Sequence, residues 1–158
     1  AGYISAVWDK KQPVVTDLLP EEYKRFEPYP VGRLDIDTEG LLIITNDGEL
    51  THNLTSPKKD LDKKYFAVTD LPFEEKDKGV FALGMDLGDF IAKPAVLEIA
   101  DDGNEAYITV SEGKFHQVKR MFNMCNGEVT YLKRVKFGPL DLDESLKEGE
   151  YRFLSNLE

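Results

Sequence analysis

The stretch Val31–Gly48, VGRLDIDTEGLLIITNDG, constrains this chain more than any other. It sets a tight acidic loop between two apolar segments. Val31 to Leu34 reads as a short strand, and Asp35-Ile36-Asp37-Thr38-Glu39-Gly40 as a polar turn. Leu41 to Thr45 is a continuous apolar run, the pattern of a strand covered on both faces. Asn46-Asp47-Gly48 ends it with turn-forming residues. The unit places carboxylates at the mouth of a core strand, where rigid backbone can hold them, and loops on rigid scaffolds are where chemistry concentrates.

The loop admits three readings. A solvated acidic turn between strands is the plainest. A calcium loop is the second, since Asp35, Asp37, Glu39 and Gly40 fall at the first, third, fifth and sixth positions of the EF-hand pattern. It fails because the twelfth position is Asn46 instead of a bidentate Glu, and because the flanks read as strands. A catalytic carboxylate is the third, and spacing alone does not select it. A glycosidase pair of Asp35 and Asp37 is poorly placed, because carboxylates two residues apart on one turn do not flank a sugar bond.

At 158 residues the chain is expected to form one domain, and a hydrophobic fraction of 41% suffices for a sizeable core. No apolar run is long enough to span a bilayer as a helix. A single cysteine, Cys125, excludes an internal disulfide framework and a multi-cysteine zinc site, and reads as a small buried residue. His52 and His116 are the only histidines, so no structural metal is expected. The net charge of −10 is the wrong sign for non-specific phosphate binding. The charge is uneven, however. Lys114, Lys119, Arg120, Lys133, Arg134 and Lys136 cluster near the C-terminal third, opposed within 112–136 only by Glu112 and Glu128, while acids dominate 17–27, 70–89 and 141–158. A local basic face on an acidic protein follows.

Taken in order, Ala1–Val7 reads as a strand already under way, Asp9–Gln12 as a charged turn, and Pro13–Leu19 as a short strand or helix. Pro20–Pro30 is polar and proline-bounded, a surface segment. Gly48–Thr55 reads as a short helix stopped by Pro57, with His52 facing solvent. Tyr65–Thr69 is a strand, Pro72–Phe81 an acidic amphipathic helix and Gly84–Asp89 a loop. Pro94–Ile99 and Glu105–Val110 are strands joined as a hairpin through Asp101-Asp102-Gly103-Asn104. Lys114–Cys125 reads as a helix whose Val118, Met121, Phe122 and Cys125 recur at helical spacing and face the core. Asn126-Gly127 ends it. Val129–Phe137 is a strand alternating Val129, Tyr131, Lys133, Val135 and Phe137 with Thr130, Leu132, Arg134 and Lys136. Gly138-Pro139 breaks it, and Glu150–Leu154 is a closing strand. Hairpins instead of regular βαβ units point to an α+β fold on a largely antiparallel sheet flanked by helices and loops.

The wording GRLD-x-DT-x-GLL-x-x-T-N-D-G resembles the signature of the RsuA-type ribosomal RNA pseudouridine synthases. The resemblance runs through nearly the whole chain: Lys63-Lys64-Tyr65 is similar to the family's Lys-x-Tyr segment, Ala92-Lys93-Pro94-Ala95 to another of its stretches, Glu112–Met121 (EGKFHQVKRM) to its third motif, and Gly149-Glu150-Tyr151-Arg152 to its closing strand. His-Gln-Val-Lys-Arg-Met and Lys-Pro-Ala-Val favour the small-subunit branch over the large-subunit branches.

The resemblance implies the pseudouridine synthase fold over residues 1–158, with residues before Ala1 in the natural protein and an N-terminal S4-type RNA-binding domain that this chain lacks. It implies a cytoplasmic enzyme, expected to be monomeric and away from membranes, that takes part in ribosome biogenesis. Its partner would be 16S rRNA or a small-subunit assembly intermediate, and its reaction the isomerisation of one uridine to pseudouridine. The alternatives are a synthase acting on 23S rRNA and a non-catalytic RNA-binding module on the same fold. The isomerisation needs no redox change or energy input, so no cofactor is implied. By resemblance Asp35 is the nucleophile, Lys119 its cation, and Tyr65 the residue that stacks on the uracil. Val118 packs against the base or the tyrosine, and Arg33 fills the gap left by a flipped base. Lys114, Arg120, Lys133, Arg134 and Lys136 would contact phosphate. Read alone, Tyr65 is a core aromatic, Lys119 a solvated lysine, Arg33 a partner of Asp37 or Glu39, and the basic cluster a solvated face. Asp37 and Thr38 read as shaping the loop through side-chain bonds to its backbone.

Overall fold

The computed structural model describes residues 1–101, 103–125 and 127–158, so Asp102 and Asn126, expected in the hairpin turn and at the helix end, lie outside the described residues. Alternation in Lys63–Thr69 (β4) builds the centre of the fold. Tyr65, Ala67 and Thr69 are buried while the residues between them are half-buried, the mark of a strand with one covered face. β4 pairs antiparallel with Glu105–Val110 (β8) on one side and Val129–Phe137 (β9) on the other, so that Tyr65 lies opposite both Ile108 and Arg134. Val96–Ile99 (β7) extends the sheet beyond β8, and Leu140–Asp141 (β10) folds back on β9 after the Gly138-Pro139 break. The result is the sheet order β10-β9-β4-β8-β7, with Glu39–Gly40 (β2) added in parallel along β9. Apart from β2 the sheet is antiparallel, as the sequence pattern predicts.

Two helices cover the apolar face. Glu75–Leu83 (α3) contributes Phe81, and Gln117–Cys125 (α4) contributes Val118, Met121 and Phe122, all within the cluster that holds Tyr65, Ala67, Ile108 and Leu132. The Phe122 ring meets Phe73 and Phe81 at 5.5 and 5.4 Å. Burying each such side chain contributes about 1.5–3 kcal/mol. The expected stripe on α4 is therefore present, with Cys125 partly buried at its end.

The central stretch is shorter in its strands than expected. Tyr29–Val31 (β1) pairs with Ile43–Thr45 (β3), Val31 opposite Ile43, and Gly32 turns the chain out at φ +72° before Leu34. Only Ile43 of the Leu41–Thr45 run is buried, so the run is not covered on both faces. A separate two-stranded ribbon has one core side, here a small cluster in which Val31 and Ile43 pack with Phe137 and Leu140. Gly48–Thr55 (α2) follows as expected, its first turn capped by Asp47, whose carboxylate accepts from the amides of Glu49 and Leu50 at 2.9 and 3.0 Å. His52 is exposed on it.

Other expectations need correction. Ala1–Val7 forms no strand; among the described residues its β-pairing is one isolated bridge, Ile4 to Val14, beside hydrogen bonds from Gly2 to the Ile36 carbonyl and between Ser5 and Leu34. Pro13–Leu19 holds a short 3-10 helix, Val15–Leu18, and the surface segment after it holds one helical turn, Glu21–Lys24 (α1). Gly84–Asp89 is not all loop, because Met85–Asp86 (β5) pairs with Ile91–Ala92 (β6). Glu150–Leu154 is no strand either. It is held by side chains: Arg152 Nε lies 2.8 Å from Asp143 Oδ2, and Tyr23 meets Tyr151 and Phe153 edge-on.

β9 carries the correction with most consequence. Its register against β4 shifts between Lys64 and Tyr65: Lys64 faces Lys136, while Tyr65 faces Arg134, leaving Val135 as an extra residue. A bulge of this kind re-aims the side chains beyond it. Leu132 and Arg134, two residues apart, share the buried face, and the extra residue brings Phe137 onto that face where strict alternation would put Lys136.

Candidate active site

The loop after β1 is fastened at both ends. Leu34 exchanges two hydrogen bonds with Ser5: its amide donates to Oγ at 3.0 Å and its carbonyl accepts from Oγ at 3.3 Å. Its side chain packs on the main core. The Thr38 amide donates to the Asp35 carbonyl at 2.9 Å, closing the turn, and the Leu41 amide donates to the Arg134 carbonyl at 2.8 Å, tying the far end to β9. Asp35 sits between these anchors.

Its carboxylate faces the start of α4. Asp35 Oδ2 lies 3.2 Å from Lys119 Nζ and Oδ1 lies 3.4 Å from His116 Nε2. The Asp35 side chain is 29% exposed and that of Lys119 19%, so the pair is half-shielded yet reachable. The same ammonium lies 2.5 Å from Asp37 Oδ1. Burial pulls the Lys119 ammonium down, but the hydrogen bonds it donates to Asp37 and Asp35 outweigh that and raise its pKa above the ordinary lysine value. The Lys119 hydrogen bond in turn holds the Asp37 carboxyl below the usual carboxylate range. Asp37 is thus an ion-pair partner and more than a loop-shaping residue. Asp35 and Asp37 converge on one cation, which is not the arrangement of an acid and a base on opposite sides of a sugar bond.

Tyr65 and Val118 are buried in the same cluster on which Leu34 packs, so the residues beside Asp35 and Lys119 share one floor. Arg33 is exposed and makes no ion pair among the described residues, with neither Asp37 nor Glu39 holding it. A cavity of about 1200 Å³ lies behind the loop, bordered by Tyr3, Leu34, Thr38, Leu41 and Tyr151; Asp35, Tyr65 and Lys119 do not border it. It belongs to the space between the N-terminal and C-terminal segments, and the three residues expected to act on a substrate lie outside its border.

The basic cluster divides into buried, paired and free members. Arg134 is 2% exposed and cannot reach phosphate, because it lies opposite Tyr65 on the same buried face as Leu132. Its Nε donates to the Leu41 carbonyl at 2.8 Å, its guanidinium lies 5.0 Å from the Phe137 ring centre, and it interacts with the Tyr65 hydroxyl. Burial lowers its pKa. Arg120 is bound to Asp89 and to the Leu87 carbonyl, and Lys136 lies 3.4 Å from Asp141. Lys114 and Lys133 form no ion pair among the described residues, although Glu39 and Lys133 attract each other. Lys114 Nζ lies 4.7 Å from the Phe90 ring centre.

His116 is the site residue that sequence reasoning left without a role. It adopts a left-handed backbone at φ +48°, a conformation that costs a non-glycine residue roughly 1–2 kcal/mol. Its ring stacks on Phe115 at 3.9 Å and 12°. Nothing in hydrophobic spacing signals such a conformation. The available hint was the aromatic pair Phe115-His116 at the mouth of a helix within the third motif. Among the described residues no cluster of three or more His, Cys, Asp or Glu side chains is arranged to hold a metal ion, and no helix is long and apolar enough to cross a membrane.

Comparison with known proteins adds to this geometry. Residues 1–124 match the family described as RNA pseudouridylate synthase. Over 161 residues the chain is 46% identical to YtzG of Bacillus subtilis, named an uncharacterized RNA pseudouridine synthase, covering 99% of this chain and 67% of that one. It is 45% identical over 148 residues to ribosomal small subunit pseudouridine synthase A of Haemophilus influenzae, covering 88% of this chain and 63% of that one. The Escherichia coli protein of the same name is 38% identical over 159 residues, with 99% and 68% covered. A crystal structure of a pseudouridylate synthase superposes with a TM-score of 0.91 at 37% identity, covering 99% of this chain and 67% of that chain. The chain therefore spans about two thirds of the length of the relatives it matches.

Proposed function

Since this chain belongs to the RNA pseudouridylate synthase family, in its RsuA-type branch, we propose that it isomerises one uridine of small-subunit ribosomal RNA to pseudouridine with Asp35 as nucleophile. The observation that carries this reading is the Asp35–Lys119 pair, 3.2 Å apart on a loop fastened at both ends. The relatives named ribosomal small subunit pseudouridine synthase A support the choice of RNA.

The reaction breaks the N1–C1′ bond, turns the uracil and joins C5 to C1′. The C5 proton leaves and N1 takes one up, so the change is redox-neutral. A carboxylate is a suitable nucleophile for it. Lys119 holds Asp35 in place and balances its charge, so that desolvation by an incoming base does not drive the carboxylate to take up a proton. Tyr65 forms the floor on which the uracil stacks, with Val118 beside it. The uridine must leave its stack to reach this floor, at a cost of about a few kcal/mol. Arg33, exposed and unpaired among the described residues, is free to take the vacated place. Lys114, Arg120, Lys133 and Lys136 supply phosphate contacts, the last three in competition with carboxylates already near them.

The test is pseudouridine mapping of ribosomal RNA from cells lacking the gene, complemented with the wild-type gene or its Asp35→Ala variant. Loss of one small-subunit pseudouridine, restored by the wild type alone, is the expected result. Loss of a large-subunit pseudouridine instead would move the substrate to 23S rRNA. An unchanged map would overturn the catalytic reading and leave a binding module.

A further inference from the structure

We propose that the stacked ring pair Phe115–His116 is a platform for an unpaired nucleobase next to the reacting uridine; this rests on the RNA substrate proposed above. Phe115 is 76% exposed, so its ring contributes little to the core. One face lies on the His116 imidazole, with centres 3.9 Å apart and planes within 12°, which leaves the other face open for a further flat ring. The stack is aimed at the site, because His116 Nε2 lies 3.4 Å from Asp35 Oδ1. It is also held there. His116 keeps its left-handed backbone, its carbonyl accepts from the Arg120 amide at 2.9 Å, and the buried Gln117 donates to Glu112 at 3.0 Å and accepts from the Lys114 amide at 3.3 Å.

Charge explains why such a platform is needed. The chain carries a net charge of −10, and the two cations of the α4 first turn are engaged, Lys119 with Asp35 and Asp37 and Arg120 with Asp89, which leaves Arg33 and Lys114 as the nearby cations without an ion pair among the described residues. Phosphate attraction is correspondingly weak. Stacking on an aromatic face is insensitive to net charge and tolerates any base, since every base has a π-face. A planar ring beside the carboxylate is therefore the contact best able to hold the strand while the uridine is out of its stack.

The experiment is equilibrium binding of the 158-residue chain to a short single-stranded oligoribonucleotide with 2-aminopurine beside a uridine, followed by fluorescence. Phe115→Ala should weaken binding roughly 5- to 150-fold, the range for losing one stacked base, and abolish the quenching of 2-aminopurine. Phe115→Trp should keep both. Phe115→Leu, which retains apolar bulk without a flat π-face, should behave like the alanine variant. Equal thermal stability of all three variants excludes a folding effect. The proposal is overturned if Phe115→Ala binds like the wild type, if Phe115→Leu keeps affinity and quenching, or if the wild-type chain does not bind the oligonucleotide. Turnover is not read, so a chain that binds through Phe115 yet forms no pseudouridine would overturn the catalytic reading and keep this one.

Discussion

The ammonium of Lys119 stands 3.2 Å from the Asp35 carboxylate, and the two are far apart in sequence but joined by the packing of one loop against one helix. A half-shielded carboxylate next to a fixed cation is poised for chemistry in a way that an exposed turn is not. Lys119→Met should therefore lower pseudouridine formation by roughly 10²–10³-fold, the range seen when one preorganised electrostatic partner is removed. Asp37→Asn leaves the Asp35–Lys119 pair in place and removes only a contact whose acid is 70% exposed. Its effect should stay under about tenfold. Single-turnover rates on a substrate RNA separate the two, and equal losses would show that both acids serve one structural clamp.

The Asp37–Lys119 pair also sets a pH signature. Asp37 is held below its ordinary value of 3.8 by the Lys119 hydrogen bond, partly offset by burial. A carboxyl with a lowered folded pKa contributes stability above its unfolded value, and that contribution disappears as pH falls through the folded one. Lys119 is raised above 10.5, so its contribution is complete below that value and is lost as pH rises through the folded one. Urea melts of the wild type and Asp37→Asn should differ at neutral pH in favour of the wild type. The gap should close in acid below the ordinary carboxylate range, and narrow in high salt because Asp37 is exposed. A gap constant through the acid range would mean that Asp37 acts by packing.

Gly40 carries the loop's closest backbone approach. It lies at φ +108° in the parallel β2–β9 pairing, and an added Cβ would fall 2.7 Å from the Arg134 amide nitrogen and closer still to the Arg134 carbonyl oxygen. The backbone conformation alone should cost Gly40→Ala about 1–3 kcal/mol, with the collision added to it. Gly32→Ala is the control: φ is +72°, but nothing stands within 4 Å of its Cβ. Thermal melts should show a clearly larger loss for Gly40→Ala, accompanied by lost activity as β2 leaves β9 and the Asp35 loop loosens. Equal losses at both glycines would refute the close-approach argument.

Several of these features were legible in the sequence and others were not, for identifiable reasons. The helical spacing of Val118, Met121 and Phe122 and the alternation of β4 and β8 are local patterns, and the structure keeps them. Ala1–Val7 and Glu150–Leu154 look like strands by composition, but a strand needs a neighbour, and one sequence does not say which edges are free. Leu41–Thr45 is continuously apolar, yet only Ile43 is buried, because its partner is a three-residue edge strand. Asp35 was marked as a nucleophile by family wording alone; that Asp37 and His116 converge with Lys119 near it is a tertiary fact. Arg134 reads as a phosphate contact by its charge and its place in the basic cluster. Alternation sets it on one face with Leu132, and the sequence does not say that this face is the covered one.

That burial leads to the last prediction. Arg134 is a buried guanidinium with no carboxylate partner among the described residues, and its Nη2 is buried without a hydrogen-bond partner among them. What it does hold is backbone and ring: the Leu41 carbonyl at 2.8 Å, the Phe137 face at 5.0 Å and the Tyr65 hydroxyl. Arg134→Met keeps much of the volume and removes the cost of burying an uncompensated charge, but leaves the Leu41 carbonyl unsatisfied, at a cost of about 1–3 kcal/mol. Arg134→Ala adds a cavity beneath Phe137 and should cost about 2–5 kcal/mol. If Arg134 acted as a phosphate contact, both variants would keep wild-type stability and weaken RNA binding, with a shallower salt dependence. The burial predicts the opposite order: stability falls, more for alanine than for methionine, while the salt slope of RNA binding stays that of the wild type. Denaturant melts beside binding curves at several salt concentrations decide between the two.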